Sequence, residues 1–291
     1  MELDLHHVRT LAAVSDLGSF DAAARVLSIT PSAVSQRIKA LETQIGRVLV
    51  LRSKPATLTD SGRVVMRVAR QLVVLEGDMI AALDLEPGAL TTLPLVVNAD
   101  SLATWFLPAL VDVPGVSFDI VREDQAHSAA LLREGVVMAA VTSEAEPVQG
   151  CHATFLGTMT YRPMASPRWL ERWMPQGFDR AALERAPVVV FDRKDTLQDD
   201  YLRGSGIDPL APPRHHVPGS ADFRDAVALG LGWGMLPDLQ ADALAAAGEL
   251  IELEHGRAVP VPLYWQQWSL DSAALVAVAE AVARTAAATL R

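Results

Sequence analysis

Cysteine is nearly missing from this chain: Cys151 stands alone among 291 residues. That excludes an intramolecular disulfide and a cluster of thiolate metal ligands. No run approaches the roughly 18 uninterrupted apolar residues that a membrane helix needs. The opening Met1-Glu2-Leu3-Asp4 has neither the basic stretch nor the apolar core of a secretion signal. A cytoplasmic protein with no membrane partner is the expectation. Signatures of catalysis are lacking too. His6-His7 and His215-His216 are adjacent pairs, without the i, i+4 spacing and carboxylate company of a zinc helix. No glycine-rich phosphate loop follows a strand, and no serine sits in a nucleophile elbow. Cys151 has only His152 beside it, which is adjacency rather than geometry. No enzyme, no metal and no cofactor are therefore expected.

Positive charge is also short overall, with a formal net charge of −10. Its distribution is uneven. Residues 1–70 carry ten Lys or Arg against six Asp or Glu, a net of +4, leaving −14 for the remainder. A cationic head on an acidic body can grip phosphates while the body repels them. Half of the residues are hydrophobic and 21% are charged, which is ordinary globular composition for a chain long enough to form two or three compact units.

Three helices are legible in the head. Val8, Leu11, Ala12 and Val14 give the first an apolar face from about Leu5 to Leu17, and Gly18 stops it. Ser19 caps a second, Phe20 to Leu27, whose Ala22-Ala23-Ala24 permits close packing. After the turn Ser28-Ile29-Thr30, Thr30 caps a third helix, Pro31 fills its first position, and Gly46 ends it. Two helices joined by a tight turn make a helix-turn-helix. The third helix presents Ser32, Ser35, Gln36 and Lys39 on one side and Val34, Ile38 and Leu41 on the other. Gln is suited to adenine and Ser to several base edges, whereas Arg37 and Lys39 reach phosphates. A merely solvated polar face is the alternative. Val48–Leu51 and Ala56–Leu58 then read as two short strands around Arg52-Ser53-Lys54-Pro55, a basic wing for the DNA backbone. Thr59 caps a further helix.

In order and spacing, Gly18-Ser19-Phe20-Asp21-Ala22-Ala23-Ala24, Thr30-Pro31-Ser32-Ala33-Val34-Ser35-Gln36-Arg37-Ile38, Leu41-Glu42 and Leu58-Thr59-Asp60-Ser61-Gly62 resemble the LysR-type transcriptional regulators. The resemblance implies a winged helix-turn-helix over 1–59, a linker helix over 60–88 and a two-lobed effector-binding α/β domain over 89–291. The latter has one lobe at about 92–163 and 265–291 and another at about 164–264. From Asp60 to about Leu85 no proline intervenes. Val65, Val68, Leu72, Leu75, Met79 and Ala82 recur at alternating steps of three and four, a heptad seam that asks for a partner chain or the chain's own domain. A homodimer can then read two half-sites, and the family resemblance adds homotetramers. Glu86-Pro87-Gly88 should end the helix, with a hinge over Ala89–Leu93.

Beyond residue 94, strand-like and helix-like stretches alternate, the pattern of parallel strands with helical crossovers. The expected elements are strands at Leu95–Val97, Phe118–Val121, Val137–Val141, Val188–Phe191 and Leu263–Trp265. Helices are expected at Leu102–Val111, Ser128–Glu134, Asp222–Leu229 and Ser272–Leu290. Ligands in such sheets lie at the carboxyl ends of strands, against helix N-termini. Asp100, Ser101 and Thr104, the hydroxyl of Thr142, and Ser220 ahead of Asp222 fit that position, although each also reads as an ordinary helix cap. This half resembles the LysR-type branch that regulates export of basic amino acids in response to lysine or arginine. The matching stretches are Val97–Phe106, Glu123–His127, Gly135–Thr142, Gly230–Pro237 and Leu263–Trp268. The resemblance implies a basic amino acid as effector, an exporter gene as target, promoter operator DNA as partner and RNA polymerase as a further candidate partner. A basic side chain needs an acid at its far end, for which Asp124 and Asp195 are the first candidates and Glu123 and Asp222 the reserve, with Trp105 to pack on its stem. Ala221 stands where the branch pattern leads one to expect an acid. A different effector, or a nucleoid or replication-origin binder that senses nothing, is the alternative.

Overall fold

The computed structural model describes residues 4–85, 88, 90–123 and 125–291. They divide into two compact units. The first comprises Met1–Val97, Asp112–Thr154 and Tyr264–Ala281, and the second Asn98–Val111, Phe155–Leu263 and Val282–Arg291. Residues 98–111, assigned from the sequence to the first lobe, thus group with the second unit.

The first unit opens with α1 (Leu5–Leu17), α2 (Phe20–Val26) and α3 (Pro31–Ile45), capped by the side chains of Asp4, Ser19 and Thr30. Gly18 closes α1 at φ +59°, a conformation that suits glycine. Val8, Leu11, Val14, Ala23, Val34, Ile38, Leu41 and Leu49 form one buried core, completed by Met66 and Ala69 from the next helix. The wing is shorter than expected: β1 (Val50–Leu51) pairs antiparallel with β2 (Thr57–Leu58). Side chains have taken the neighbouring backbone groups. Glu42 Oε1 accepts from the N–H of Leu49 at 2.8 Å and of Val50 at 3.2 Å, and the Thr59 hydroxyl donates to the Val48 carbonyl at 2.7 Å.

Helix α4 (Asp60–Ala82) starts hard against this turn. A Cβ on Gly62 would overlap the Leu49 carbonyl oxygen, so only glycine allows the approach. The helix stops short of the expected Leu85 because Asp84 adopts φ +50°, outside the right-handed helical region. Met66, Ala69 and Val74 are buried on one face. The heptad seam is not: Val65 and Leu72 are half-buried, whereas Val68, Leu75 and Met79 are 43%, 37% and 51% exposed.

Behind α4, β3 (Thr91–Val97) runs parallel to β4 (Val116–Arg122) on one side and β5 (Ala139–Thr142) on the other, with Leu95 opposite both Ile120 and Ala139. Helix α7 (Gln125–Glu134) carries the chain from β4 to β5. The expected hinge is corrected here. Thr91–Leu93 are paired with Val116–Phe118, while Glu86, Pro87 and Ala89 lie outside the described residues. The last long strand, β11 (Val259–Trp268), brings Tyr264–Gln267 antiparallel against β5, so the sheet is mixed rather than purely parallel.

In the second unit, the Phe155–Ala165 part of β6 (Cys151–Ala165) is flanked by two antiparallel neighbours, β9 (Gly234–Pro237) and β10 (Ile251–Glu252). The sequence pattern does not announce this long strand. Gly157 and Pro163 lie within it, residue types that read as breakers in a sequence. A second pair, β7 (Val188–Val190) and β8 (Arg214–His216), is parallel. After α8 (Pro167–Trp173) and α9 (Leu197–Gly204), Met164, Val189, Phe223, Val227, Leu236, Ala241 and Leu250 make the core between these strands and the helices α10 (Ser220–Ala228) and α11 (Asp238–Ala246). The helical excursion begins at Ala99 rather than Leu102, because Asn98 Oδ1 accepts the Ser101 N–H at 2.8 Å and caps it. It runs as α5 (Ala99–Ser101), a π-helical stretch over Leu102–Phe106 and α6 (Leu107–Leu110).

A candidate nucleic-acid interface and a candidate effector site

Alternation along α3 sorts its side chains cleanly. Val34, Ile38 and Leu41 enter the core, while Ser32, Gln36 and Lys39 are exposed and Ser35 is half-buried beside them. The Thr30 hydroxyl accepts the Ala33 N–H at 3.2 Å and lies 2.9 Å from the Ser32 hydroxyl, so the first turn is fixed at its open end. Pro31 is exposed and Arg37 half-buried. In the wing, Arg52 lies over the Phe20 ring at 5.1 Å, a cation–π contact that holds it beside α2. Lys54 is exposed next to Pro55, and the Ala56 N–H donates to the Gly18 carbonyl at 2.8 Å, anchoring the wing on the α1–α2 turn. Not all ten cations of the head are free to meet phosphates. Arg9 pairs with Glu76, Arg63 with Asp60 and Arg70 with Asp16. Among the described residues, Arg25, Arg37, Lys39, Arg47, Arg52 and Lys54 have no carboxylate partner, and Arg67 lies over the Trp268 ring at 5.5 Å.

The second site is built on Asp100, all of it within the second unit. Its Oδ2 accepts from the Tyr161 hydroxyl of β6 at 2.7 Å, and its Oδ1 from the Ser220 hydroxyl of α10 at 2.6 Å. Ser220 in turn accepts from Gln240 Nε2 of α11 at 2.7 Å. Every one of these partners is neutral. Burial raises the Asp100 carboxyl above the ordinary carboxylate range, against the lowering effect of the two hydroxyls. Asp195 is raised as well, chiefly by burial and further by the charges of Asp100 and Asp192. Its carboxylate accepts the N–H groups of Phe191 and Leu197, each at 3.1 Å. The two half-buried acids repel each other, and neither of them is lowered by a cation among the described residues.

Polar atoms without a partner accompany it. Asn98 Nδ2, Ser101 Oγ, Trp105 Nε1 and Gln240 Oε1 are all buried and unbonded among the described residues. Asn98 uses its oxygen on the cap and leaves its amide nitrogen over, so donors and acceptors are both in surplus in this unit.

The remaining candidates read from the sequence fall elsewhere or are already engaged, and Asp124 lies outside the described residues. The Thr104 hydroxyl donates back to the Asp100 carbonyl at 2.6 Å. Trp105 is fully buried, edge-on to Phe106 at 5.7 Å. Thr142 is fully buried in β5 of the first unit, where its hydroxyl accepts the Glu144 N–H at 3.1 Å, and Glu123 is half-buried after β4 in that same unit. Asp222 is exposed and lines a separate groove of about 540 Å³ with Arg168, Arg172 and Asp225. Of the effector candidates, the side chains of Asp100 and Ser220 bond each other among the described residues, and the charge of Asp100 acts on Asp195. Tyr161 and Gln240 escape sequence reasoning. A lone Tyr in a strand carries the hint of a polar handle needing a partner, but nothing around Gln240 distinguishes it from a surface residue.

Residues 5–63 match the family model of the bacterial regulatory helix-turn-helix proteins, lysR family, and residues 86–287 that of the LysR substrate binding domain. The lysine export transcriptional regulatory protein LysG of Corynebacterium efficiens is 44% identical over 291 residues, covering 98% of both chains. Among solved structures, ArgP from Mycobacterium tuberculosis is similar at a TM-score of 0.86 and 43% identity, covering 100% of this chain and 99% of that one. Full-length LysG from Corynebacterium glutamicum with bound effector Arg is similar at 0.76 and 39%, covering 99% and 100%.

Proposed function

Because this chain belongs to the LysR family of bacterial regulatory helix-turn-helix proteins, we propose that it controls an amino-acid exporter gene and senses arginine or lysine. The half-buried carboxylates Asp100 and Asp195, which among the described residues have neutral or backbone donors and no cation, carry this reading. A cationic side chain relieves their repulsion, and no anionic or neutral metabolite does so. The spare donors Asn98 Nδ2 and Ser101 Oγ suit the α-carboxylate of an amino acid. The arginine bound to the Corynebacterium glutamicum relative and the lysine-export name of the Corynebacterium efficiens relative support the same chemistry.

On DNA, Ser32, Ser35 and Gln36 face the base edges of an operator half-site, and Arg37, Lys39, Arg52 and Lys54 the phosphates. The exposed seam Val68, Leu75 and Met79 is met by a second chain in a cytoplasmic homodimer. Residues 1–59 read DNA, 60–88 link, and 89–291 sense. The effector acts by binding one arrangement of the protein more tightly than another, which is what any ligand-driven switch requires.

The test is a melting series on the full-length protein with arginine, lysine, glutamate and citrulline, the last being an uncharged isostere of arginine. A ligand at a hundred times its dissociation constant adds about 2.7 kcal/mol. A rise with arginine or lysine and none with citrulline is the expected result. Stabilisation by citrulline equal to that by arginine, or by none of the four, would overturn the basic amino acid as effector.

A further inference from the structure

Gln240 sits in the first turn of α11, only 8% exposed. Its amide nitrogen donates to the Ser220 hydroxyl at 2.7 Å. The same orientation holds opposite a cationic effector, where an ionised Asp100 brings no proton: the single proton of Ser220 goes to Asp100 Oδ1, and Ser220 accepts from Gln240. That leaves Oε1 buried with no donor among the described residues, an arrangement that is costly unless something else supplies an N–H.

Resting on the reading of a basic effector, we propose that Gln240 is a specificity-determining residue whose Oε1 accepts a second hydrogen bond from the effector's guanidinium, beside the Asp100 carboxylate, and so selects arginine over lysine. The two acceptors are held apart by the one hydroxyl they share. A guanidinium spreads five N–H donors over a rigid planar fork and reaches separated acceptors at once. An ammonium concentrates three donors on one nitrogen, and satisfying Asp100 draws it away from Gln240. Tyr161, bonded to the other carboxylate oxygen, keeps Asp100 from turning to compensate.

Isothermal titration of the full-length protein with arginine and with lysine reads this as a ratio. The wild-type protein should bind arginine at least about tenfold more tightly, the worth of roughly one well-placed hydrogen bond. Gln240→Met, of similar length but with no strong acceptor, should lose arginine affinity about tenfold while lysine changes by less than about threefold. Gln240→Glu brings no proton for Ser220 and adds a charge that an ammonium satisfies as well as a guanidinium does, so the preference for arginine should fall there too, and this variant reads the same ratio should the Met variant not fold. Equal losses for both ligands in Gln240→Met, or an undiminished preference for arginine in Gln240→Glu, would overturn the assignment. Wild-type protein that binds lysine as well as arginine would sink Gln240's role and leave the effector reading intact. Binding of neither would remove both.

Discussion

Asp100 is a carboxylate that the fold would rather have neutral, and this has measurable consequences. Its folded pKa is raised by burial, so the folded state holds the proton more tightly than the unfolded one. Stability from this group is complete below the ordinary carboxylate range and is lost as pH rises through the raised value. Asp100→Asn removes the cost of a half-buried charge. In the absence of effector it should melt higher at pH 7.5 by roughly 2–4 °C, the shift that about 1 kcal/mol produces in a protein of this size. The same variant should lose stabilisation by arginine. For the wild-type protein the linkage runs through the ligand: a cation binds the ionised form, so arginine affinity should weaken as pH is lowered from about 7.5 to about 5, measured by titration calorimetry. On α3, Gln36→Ala should cost about 1–3 kcal/mol on operator DNA and far less on random DNA; equal losses would remove Gln36 from the base-reading set. At this scale the sequence is unevenly legible. The α3 residues can be read because helical period alone sorts them into faces. Asp100 and Ser220 stand out as residues at strand ends, suited by that position to hold a carboxylate rather than a cation. Their actual bond spans 120 positions, which no local pattern encodes.

Elements are legible where caps and periodicity agree. Thr30-Pro31 and Gly46 bracket α3 to the residue, and Thr59 starts α4 as its hydroxyl accepts the Gly62 N–H at 3.0 Å. The wing strands are shorter than their pattern suggests because Glu42, in a preceding helix, competes for their backbone, a tertiary effect. Strand β6 stays hidden because Gly157 and Pro163 look like punctuation when their partners β9 and β10 are unknown. Two predictions belong here. Gly62→Ala places a methyl where the Leu49 carbonyl lies, and should destabilise the head by about 1–3 kcal/mol, the range for overpacking, read by chemical denaturation. Met79→Glu puts a charge on the exposed seam of α4. Sedimentation equilibrium should then show the assembly dissociating at protein concentrations about tenfold or more above the wild-type midpoint, with helical content unchanged.

For the whole molecule, a net charge of −10 coexists with a head whose free cations gather on α2, α3 and the wing. Binding to DNA should therefore fall steeply with salt, the slope of log K against log salt being about −0.9 for each phosphate neutralised. Arg52→Ala and Lys54→Ala should each reduce that slope by about one unit per subunit on any DNA sequence. A slope unchanged in both would take the wing off the backbone. The two-part plan of a basic reading head and an acidic sensing body is legible from charge distribution, and the likeness to relatives over nearly the full chain agrees with it. The division into compact units is not, since the chain moves from one unit to the other several times, and order along the sequence says nothing of such returns.

The joint between the head and α4 is closed. Met66 and Ala69 lie inside the head's own core, and the pairs Arg9–Glu76 and Arg70–Asp16 tie α1 to α4 over more than a turn. Head and helix are therefore one stiff arm. Its 23 residues measure about 35 Å at roughly 1.5 Å per residue. A tilt of about 5° applied at the far end sweeps the reading helix through about 3 Å, close to the roughly 3.4 Å rise of one base pair. An effector that turns the seam by so little alters the phase of two heads on their operator by a full step of the DNA ladder.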